Sequence, residues 1–221
     1  MKRIAPQSIT ELMQRAQALN GFTLQQLAQQ YEIKVPINLQ QNKGWIGQVL
    51  EIALGTTAAN LAEPDFQHLG VELKTLPLNA EQEPRESTFV ASIPLLEVSR
   101  MTWETSVVKK KLSQVLWIPF EAEPAIPVAE RRIGQAILWQ PTLSQQQILQ
   151  ADWEELIELI CLGKLEQMTA RQGRYLQIRP KAANAKALCW AYGANGNKIQ
   201  TLPRGFYLRT KFTTEILNQY Q

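Results

Sequence analysis

The sequence has little cysteine and histidine and no apolar run long enough to cross a membrane. Its two cysteines, Cys161 and Cys189, lie in apolar segments, which predicts reduced, buried thiols rather than a disulfide framework or a metal site. The longest uncharged stretch, residues 133–151, contains six glutamines and a proline, which excludes a membrane span. The N-terminal segment MKRIAPQSITE lacks the apolar core of a signal peptide. We therefore expect a cytoplasmic protein without a membrane partner.

The chain is long enough to bury a substantial core, with 221 residues and 45% apolar content. We expect one domain over residues 1–221, built from two lobes and acting as a monomer. The single histidine, His68, has no neighbouring histidine or cysteine that could share a metal. Its expected role is structural, or that of an ordinary solvated side chain.

Acidic residues are nearly absent from one long segment near the C-terminus. Residues 164–211, named the basic segment here, contain ten lysines and arginines and one acid, Glu166, for a net charge of +9, while the rest of the chain carries −6. Aromatic residues are interleaved with these basic residues. The pattern favours a surface that binds a polyanion such as nucleic acid over an ordinary solvated surface, which usually mixes charge signs.

The hydrophobic periodicity predicts helices around a mixed sheet, an α/β (α+β) class in the broad sense. Ser8 and Glu11 form a predicted capping box at the start of the first helix. Helices are predicted over residues 8–19, 23–31, 44–55 and 144–163 and from residue 213. Strands are predicted over residues 70–78, 87–96, 111–120 with Lys111 at its entry, 131–141, 174–182 and 205–212, with a hairpin at 187–202.

The segment EPDFQHLGVELKTL, residues 63–76, carries three ionisable residues in an apolar strand pattern. Side chains alternate along a strand, so Glu72 and Lys74 share one face while their apolar neighbours pack on the other. Asp65 lies across a glycine-containing bend, from which its carboxylate can return toward Glu72. Two converging carboxylates repel each other unless a cation lies between them.

Oxygen ligands of this kind suit Mg²⁺, which keeps several waters and takes further ligands from a substrate phosphate. Bound there, Mg²⁺ would acidify a water, and Lys74 would stabilise the charge that develops during phosphodiester hydrolysis. The motif alone is more often a surface salt bridge. Glu51 on an otherwise apolar helix and the basic segment downstream shift the interpretation toward a nuclease whose catalytic motif lies in residues 44–76.

Several separate motifs, in order along the chain, carry a family resemblance. They are KGWIGQVLE, D-F-x-H-L-G-V-E-L-K-T-L-P, TFV, KKKLSQVLW, DWEELIELICLGKL, QIRPKA and GFYLRTKFT. From about Leu12 to Leu217 the sequence resembles the MutH family, the strand-discriminating endonucleases of methyl-directed DNA mismatch repair. That resemblance implies the PD-(D/E)xK restriction-endonuclease fold, with a mixed sheet flanked by helices and two lobes around a DNA cleft.

The resemblance also implies an activity. MutH-family enzymes nick the unmethylated strand at hemimethylated GATC sites when activated by MutL, which acts with MutS. Carried onto this sequence, Asp65 and Glu72 resemble the Mg²⁺ ligands, Lys74 the catalytic lysine and Glu51 the supporting glutamate on the helix.

The resemblance further implies residues that contact double-stranded DNA. Arg179 and Lys181 in QIRPKA match the DNA-reading loop, and Tyr207 matches a residue that senses adenine methylation. Phe89 and Lys111 match positions implicated in DNA contact and activity. Residues 206 and 207 alternate across a strand, and we expect Phe206 to be the one in the core.

Two other functions share part of this pattern. A GATC-type restriction endonuclease would use the same centre but would need a dimer or a second catalytic domain to cut both strands, and only one such motif occurs. A non-catalytic DNA-binding module would use the basic segment but would leave the three ionisable residues of the strand unexplained.

Overall fold

The fold is described from a computed structural model covering residues 3–39, 42, 44–57, 62–169, 171–182 and 184–220. Residues 58–61 of the predicted 44–76 catalytic segment thus lie outside the described residues. The chain divides into two compact units, Met1–Glu86 with Ser113–Gln140 and Tyr220–Gln221, and Ser87–Leu112 with Pro141–Gln219. The single-domain organisation expected over residues 1–221 stays a prediction.

The described residues form six α-helices and eight β-strands. The helices are α1 (Ile9–Gln17), α2 (Leu24–Gln30), α3 (Trp45–Leu54), α4 (Val107–Leu112), α5 (Leu143–Cys161) and α6 (Thr210–Asn218). The strands are β1 (Glu72–Leu78), β2 (Thr88–Ser92), β3 (Val115–Glu121), β4 (Ile137–Trp139), β5 (Leu176–Pro180), β6 (Cys189–Tyr192), β7 (Lys198–Thr201) and β8 (Arg204–Leu208).

The first unit contains a mixed sheet with strand order β1-β3-β4. Strand β1 pairs with β3 in parallel, and β3 pairs with β4 in antiparallel orientation. Helices α1 to α3 contribute apolar residues such as Leu12, Leu27 and Leu50 to one buried cluster with Val71 of the β1 entry and Leu116 of β3. The apolar faces predicted from helical spacing therefore form the core of this unit.

Side-chain caps define where its first two helices begin. Thr23 and Gln26 form a complete capping box at α2. At α1 the box is only half formed, because Ser8 accepts from the Glu11 amide while the Glu11 carboxylate accepts from the amide of Gln7.

The second unit contains an antiparallel sheet with strand order β2-β8-β5 and the separate hairpin β6-β7. On one sheet face, Leu176, Ile178, Phe206 and Leu208 are buried. Helix α5 packs against β5 and α4 against β2. Gly196 adopts φ 71° in the predicted hairpin turn, a conformation that glycine adopts without strain.

Some predicted boundaries are wrong. Residues 107–112 form α4, so Lys111 lies in a helix and not at the entry of a strand. Strand β4 has only three residues, and α6 begins at Thr210 rather than Thr213.

The predicted burial of the cysteines is also wrong. Cys161 is exposed because it follows the buried Ile160 by one position on α5, and this rotates it off the packed face; Cys189 is half-buried. Both thiols are free, as predicted.

The predicted fold class is confirmed, because the molecule is mixed α/β with a mixed sheet and flanking helices. Within the described ranges, no helix combines the length and apolar character that a membrane crossing requires.

Candidate active site and nucleic-acid interface

A tight bend before β1 brings Asp65 back beside the strand. Phe66 and Val71 pair across this bend, with the Phe66 amide 2.9 Å from the Val71 carbonyl oxygen, and Gly70 turns the chain at φ 66°. The Leu73 amide then donates to Asp65 Oδ2 at 2.8 Å. The bend thus places the Asp65 carboxylate on the backbone next to Glu72, as the sequence predicts.

Glu72 and Lys74 lie on the same face of β1 and form an ion pair. Lys74 Nζ is 2.6 Å from Glu72 Oε1, and the exposed fractions of the side chains are 14% for Lys74 and 1% for Glu72. A carboxylate this buried is stable in its charged form only when it is paired. Lys74 is therefore a structural partner of Glu72 as well as a candidate catalytic group.

The C-terminal end of α3 is tied to Asp65. The Glu51 carbonyl oxygen accepts from the amides of Gly55 and Thr56, at 2.9 and 3.0 Å, which closes the helix. Thr57 then donates to the Asp65 carbonyl oxygen from its amide at 2.9 Å and from its hydroxyl at 3.3 Å. Half-buried Glu51 thus belongs to a helix that packs against β1 and whose end holds Asp65.

Asp65 and Glu72 are a donor set that fits Mg²⁺. Among the described residues, no three histidine, cysteine, aspartate or glutamate side chains gather closely enough to hold a metal by themselves. Zinc sites need three or four such ligands, whereas Mg²⁺ is commonly bound through one or two carboxylates, several waters and substrate phosphate oxygens. The chemistry of these two carboxylates is therefore compatible with Mg²⁺, with water and substrate oxygens as the further ligands.

The face of the β2-β8-β5 sheet opposite Phe206 brings four of the predicted DNA-contacting residues together. The rings of Phe89 and Tyr207 meet edge-to-face with centroids 5.3 Å apart. Arg179 places its guanidinium 5.9 Å from the Tyr207 centroid, and Lys181 its ammonium 3.6 Å from the Phe89 centroid. Arg179 also donates to Ser87 Oγ at 2.6 Å. Cations over aromatic rings form a basic surface with flat apolar faces beneath it.

Residues 205 and 206 of β8 make this arrangement possible. Phe206 is 1% exposed and lies in the core, as predicted, so Tyr207 projects from the opposite face and is half-buried. A Cβ at Gly205 would lie only 2.8 Å from Phe89 Cε2. The Phe89 ring thus occupies the space that a side chain at residue 205 would need. The sequence alone did not indicate that this position requires glycine.

Comparisons with known proteins show which family this chain belongs to. The family model of the DNA mismatch repair enzyme MutH matches residues 54–152. The DNA mismatch repair protein MutH of Vibrio campbellii is 54% identical over 212 residues, which cover 96% of this chain and 94% of that protein. This chain belongs to the MutH family. The MutH proteins of Pasteurella multocida (54% identical, covering 98% of each chain) and Haemophilus influenzae (53% identical, covering 97% of this chain and 96% of that protein) are similar over nearly their whole lengths.

Two other residues were considered for this MutH-family chain, Lys111 and His68. Lys111 is half-buried on α4, a helix that packs against β2. His68 has Nε2 2.7 Å from the Pro6 carbonyl oxygen, which is consistent with the structural role expected for it. Thr57, which holds Asp65, was missed because a threonine after a helix-ending glycine has no distinctive pattern.

Proposed function

We propose that this chain is a Mg²⁺-dependent endonuclease that nicks the unmethylated strand of double-stranded DNA at hemimethylated GATC sites. In this proposal it works as a cytoplasmic monomer in DNA mismatch repair, activated by MutL, which acts with MutS. Membership in a family of DNA mismatch repair enzymes supports this function. The observation that carries it is that the Asp65 carboxylate accepts from the Leu73 amide, between the two residues of the Glu72–Lys74 ion pair at the start of β1.

Asp65 and Glu72 would hold the metal. Mg²⁺ bound there would supply positive charge to the scissile phosphate and lower the pKa of a water molecule. The bend at Gly70 and the bonds from Thr57 and Leu73 keep the Asp65 carboxylate beside the strand. Such bonds fix the position of the ligand before substrate binds, and this reduces the reorganisation that the reaction requires.

Lys74 would act on the reacting phosphate. Its ammonium, held by the buried Glu72, orients the attacking water and stabilises negative charge on the phosphoryl oxygens in the transition state. Glu51 supports the centre from α3, the helix whose end is bonded through Thr57 to Asp65.

The face formed by Phe89, Arg179, Lys181 and Tyr207 would recognise the DNA, with Lys111 adding a phosphate contact. The cations suit phosphate or guanine edges, and the Tyr207 ring suits rejection of a methyl group in the major groove. Tight packing against an amino group excludes the bulkier methylated base.

Single-turnover nicking of a duplex with one hemimethylated GATC site, in the presence of MutL and Mg²⁺, tests this proposal. Asp65→Ala and Lys74→Ala should each slow nicking by about 100-fold or more, because each removes transition-state stabilisation. Their affinity for the duplex should stay within a few-fold of wild type. Exposed Lys34 provides the matched control, and Lys34→Ala should nick at the wild-type rate.

Near-normal nicking by the Asp65→Ala variant, or by wild type in chelator, would contradict the metal centre. Equal cutting of both strands would indicate a GATC-type restriction endonuclease instead. Binding without any cutting would indicate a non-catalytic DNA-binding module.

A further inference from the structure

Gln177 lies in the same cross-strand row as the aromatic pair. Tyr207 on β8 is directly paired with Phe89 on β2 and with Gln177 on β5. Directly paired residues in an antiparallel sheet project to the same face, so the three side chains form one row, Phe89–Tyr207–Gln177. Arg179 follows Gln177 by two residues and projects to the same face.

The environment of Gln177 is unusual for a polar side chain. It is only 6% exposed. Its amide nevertheless makes no hydrogen bond with any residue in the described part of the chain. Neither polar atom of this amide is among the fully enclosed ones that lack a partner, so the amide itself reaches the surface while the rest of the side chain is packed. Its donor and its acceptor are therefore both available to a ligand that supplies an acceptor and a donor.

We infer that Gln177 is a further specificity-determining residue, which reads the adenine of the recognised site through a bidentate contact. Adenine presents the N7 acceptor and an N6 amino hydrogen together in the major groove, and a glutamine amide matches this pair with its own donor and acceptor. Guanine presents two acceptors at these positions, so the same amide discriminates against it. This inference rests on the proposed function and names the residue that reads one base.

The same contact would respond to methylation. One N6 hydrogen pairs with thymine, so a methyl group on N6 takes the place of the hydrogen that faces the major groove. That hydrogen is the donor that Gln177 Oε1 would accept. Methylation therefore removes half of the bidentate contact and adds bulk beside the Tyr207 ring, which stands next to Gln177 in the row.

Two exposed cations would control access to the row. Arg179 and Lys181 are exposed and lie over the Tyr207 and Phe89 rings in the absence of DNA. Phosphate oxygens compete for these cations more strongly than aromatic faces do. When DNA draws the two side chains away, the row becomes accessible to a base edge.

Replacing adenine with 7-deazaadenine at the site tests the contact, because it removes the N7 acceptor and little else. Wild type should nick the 7-deazaadenine duplex about tenfold more slowly than the normal duplex, toward the lower end of the range for a bidentate base contact because only its N7 half is lost. Gln177→Leu, of similar volume, should nick the normal duplex about as slowly and show no further loss with the analogue. The nicking rates of Gln177→Leu on the unmethylated and methylated strands should also differ by less than those of wild type.

Gln177→Glu is a second variant, for which we expect the opposite order of nicking rates on the two duplexes. The carboxylate can still accept from N6 but repels N7, so this variant should nick the analogue faster than normal adenine. Wild type that is insensitive to 7-deazaadenine would overturn the inference. So would a Gln177→Leu variant that loses as much rate with the analogue as wild type does, since that result would mean a packing role alone. Wild type that nicks no GATC duplex would contradict the proposed function itself, and this inference with it.

Discussion

Residues 206 and 207 on β8 are adjacent but lie in opposite environments, and their substitutions should have different effects. Phe206 is 1% exposed, so Phe206→Ser should lower the free energy of unfolding by about 3 kcal/mol or more. Half-buried Tyr207 should tolerate serine with a smaller loss. Tyr207→Ser should still nick unmethylated GATC but narrow the rate ratio between the two strands. Urea unfolding and single-turnover nicking measure the two effects.

If Tyr207→Ser leaves the ratio of nicking rates on the unmethylated and methylated strands unchanged, other residues sense the methyl group. The first candidates are then the Arg179–Lys181 loop and Gln177. A Phe206→Ser variant as stable as wild type would contradict the packing of β8.

Gly205 tests whether the position of Phe89 matters for activity. A methyl group there would lie 2.8 Å from Phe89 Cε2 and 3.1 Å from the Ala91 carbonyl oxygen. Gly205→Ala should therefore displace the Phe89 ring from Tyr207 and lower stability by about 1–3 kcal/mol, as overpacking does. GATC nicking should fall as well. Apart from its chain neighbours and its own helix backbone, no described residue has an atom within 4 Å of a Cβ at Gly47 on α3, so Gly47→Ala should instead keep or raise stability. Equal effects of the two substitutions in urea unfolding would contradict this account of Gly205.

At the scale of elements, Asp152 of α5 fixes the entry of β5. Its carboxylate accepts from the amides of Arg174, Tyr175 and Leu176 at 2.7, 2.6 and 2.8 Å. Asp152→Asn replaces one acceptor with a donor facing backbone donors. It should lower the free energy of unfolding by about 3 kcal/mol, because hydrogen bonds to a charged group are strong and the loss leaves buried groups unpaired.

The matched control for Asp152 is exposed Glu155 on the same helix. Glu155→Gln should change stability by less than about 0.5 kcal/mol in the same urea experiment. Similar losses of stability in both variants would mean that the negative charge of α5 stabilises this unit, and not the hydrogen bonds from the start of β5 to Asp152.

Tyr175 connects β5 to α6 and should give alkaline pH dependence. Its hydroxyl lies 2.9 Å from both Glu215 carboxylate oxygens, and its ring stacks on Phe212 with centroids 4.0 Å apart. Burial raises the pKa of Tyr175 above its ordinary value of 10.0, and the bond to Glu215 raises it further. The folded chain therefore keeps this proton at a pH where the unfolded chain has lost it. Stability is complete below the unfolded pKa and declines as pH rises toward the folded pKa.

Urea midpoints at about pH 8 and about pH 10.5 measure this linkage, whose slope cannot exceed about 1.4 kcal/mol per pH unit for one proton. The urea midpoint of Tyr175→Phe should fall less than that of wild type between these two pH values. Exposed Tyr192 is the control, and Tyr192→Phe should decline as wild type does. A Tyr175→Phe variant that declines as steeply as wild type would exclude Tyr175 as the source.

Elements with strong local signals were predictable from the sequence, and weaker ones were not. Helices α1, α2, α3 and α5 have caps or long apolar spacing, and the structure confirms them. Helix α4 was missed because it has six residues and three consecutive lysines, which conceal its short apolar face. Strand β4 is shorter than predicted because pairing with β3, and not its apolar content, sets its ends.

At the scale of the whole molecule, the parts of the candidate site differ in how far they follow from sequence. Residues 65, 72 and 74 lie within ten positions, so strand alternation and one bend predict their meeting. The row Phe89–Tyr207–Gln177 comes from three strands far apart in the chain. Only the sheet order β2-β8-β5 brings them together, and no local pattern encodes that order.

Conversion of supercoiled plasmid tests the proposed activity most directly. With Mg²⁺ and MutL, wild type should turn a plasmid that contains GATC sites into nicked circles, and it should leave a GATC-free plasmid and any chelated reaction supercoiled. Asp65→Ala should leave every plasmid supercoiled. Linear product, nicking without divalent metal or equal nicking of the GATC-free plasmid would each contradict a metal-dependent, GATC-directed nicking enzyme.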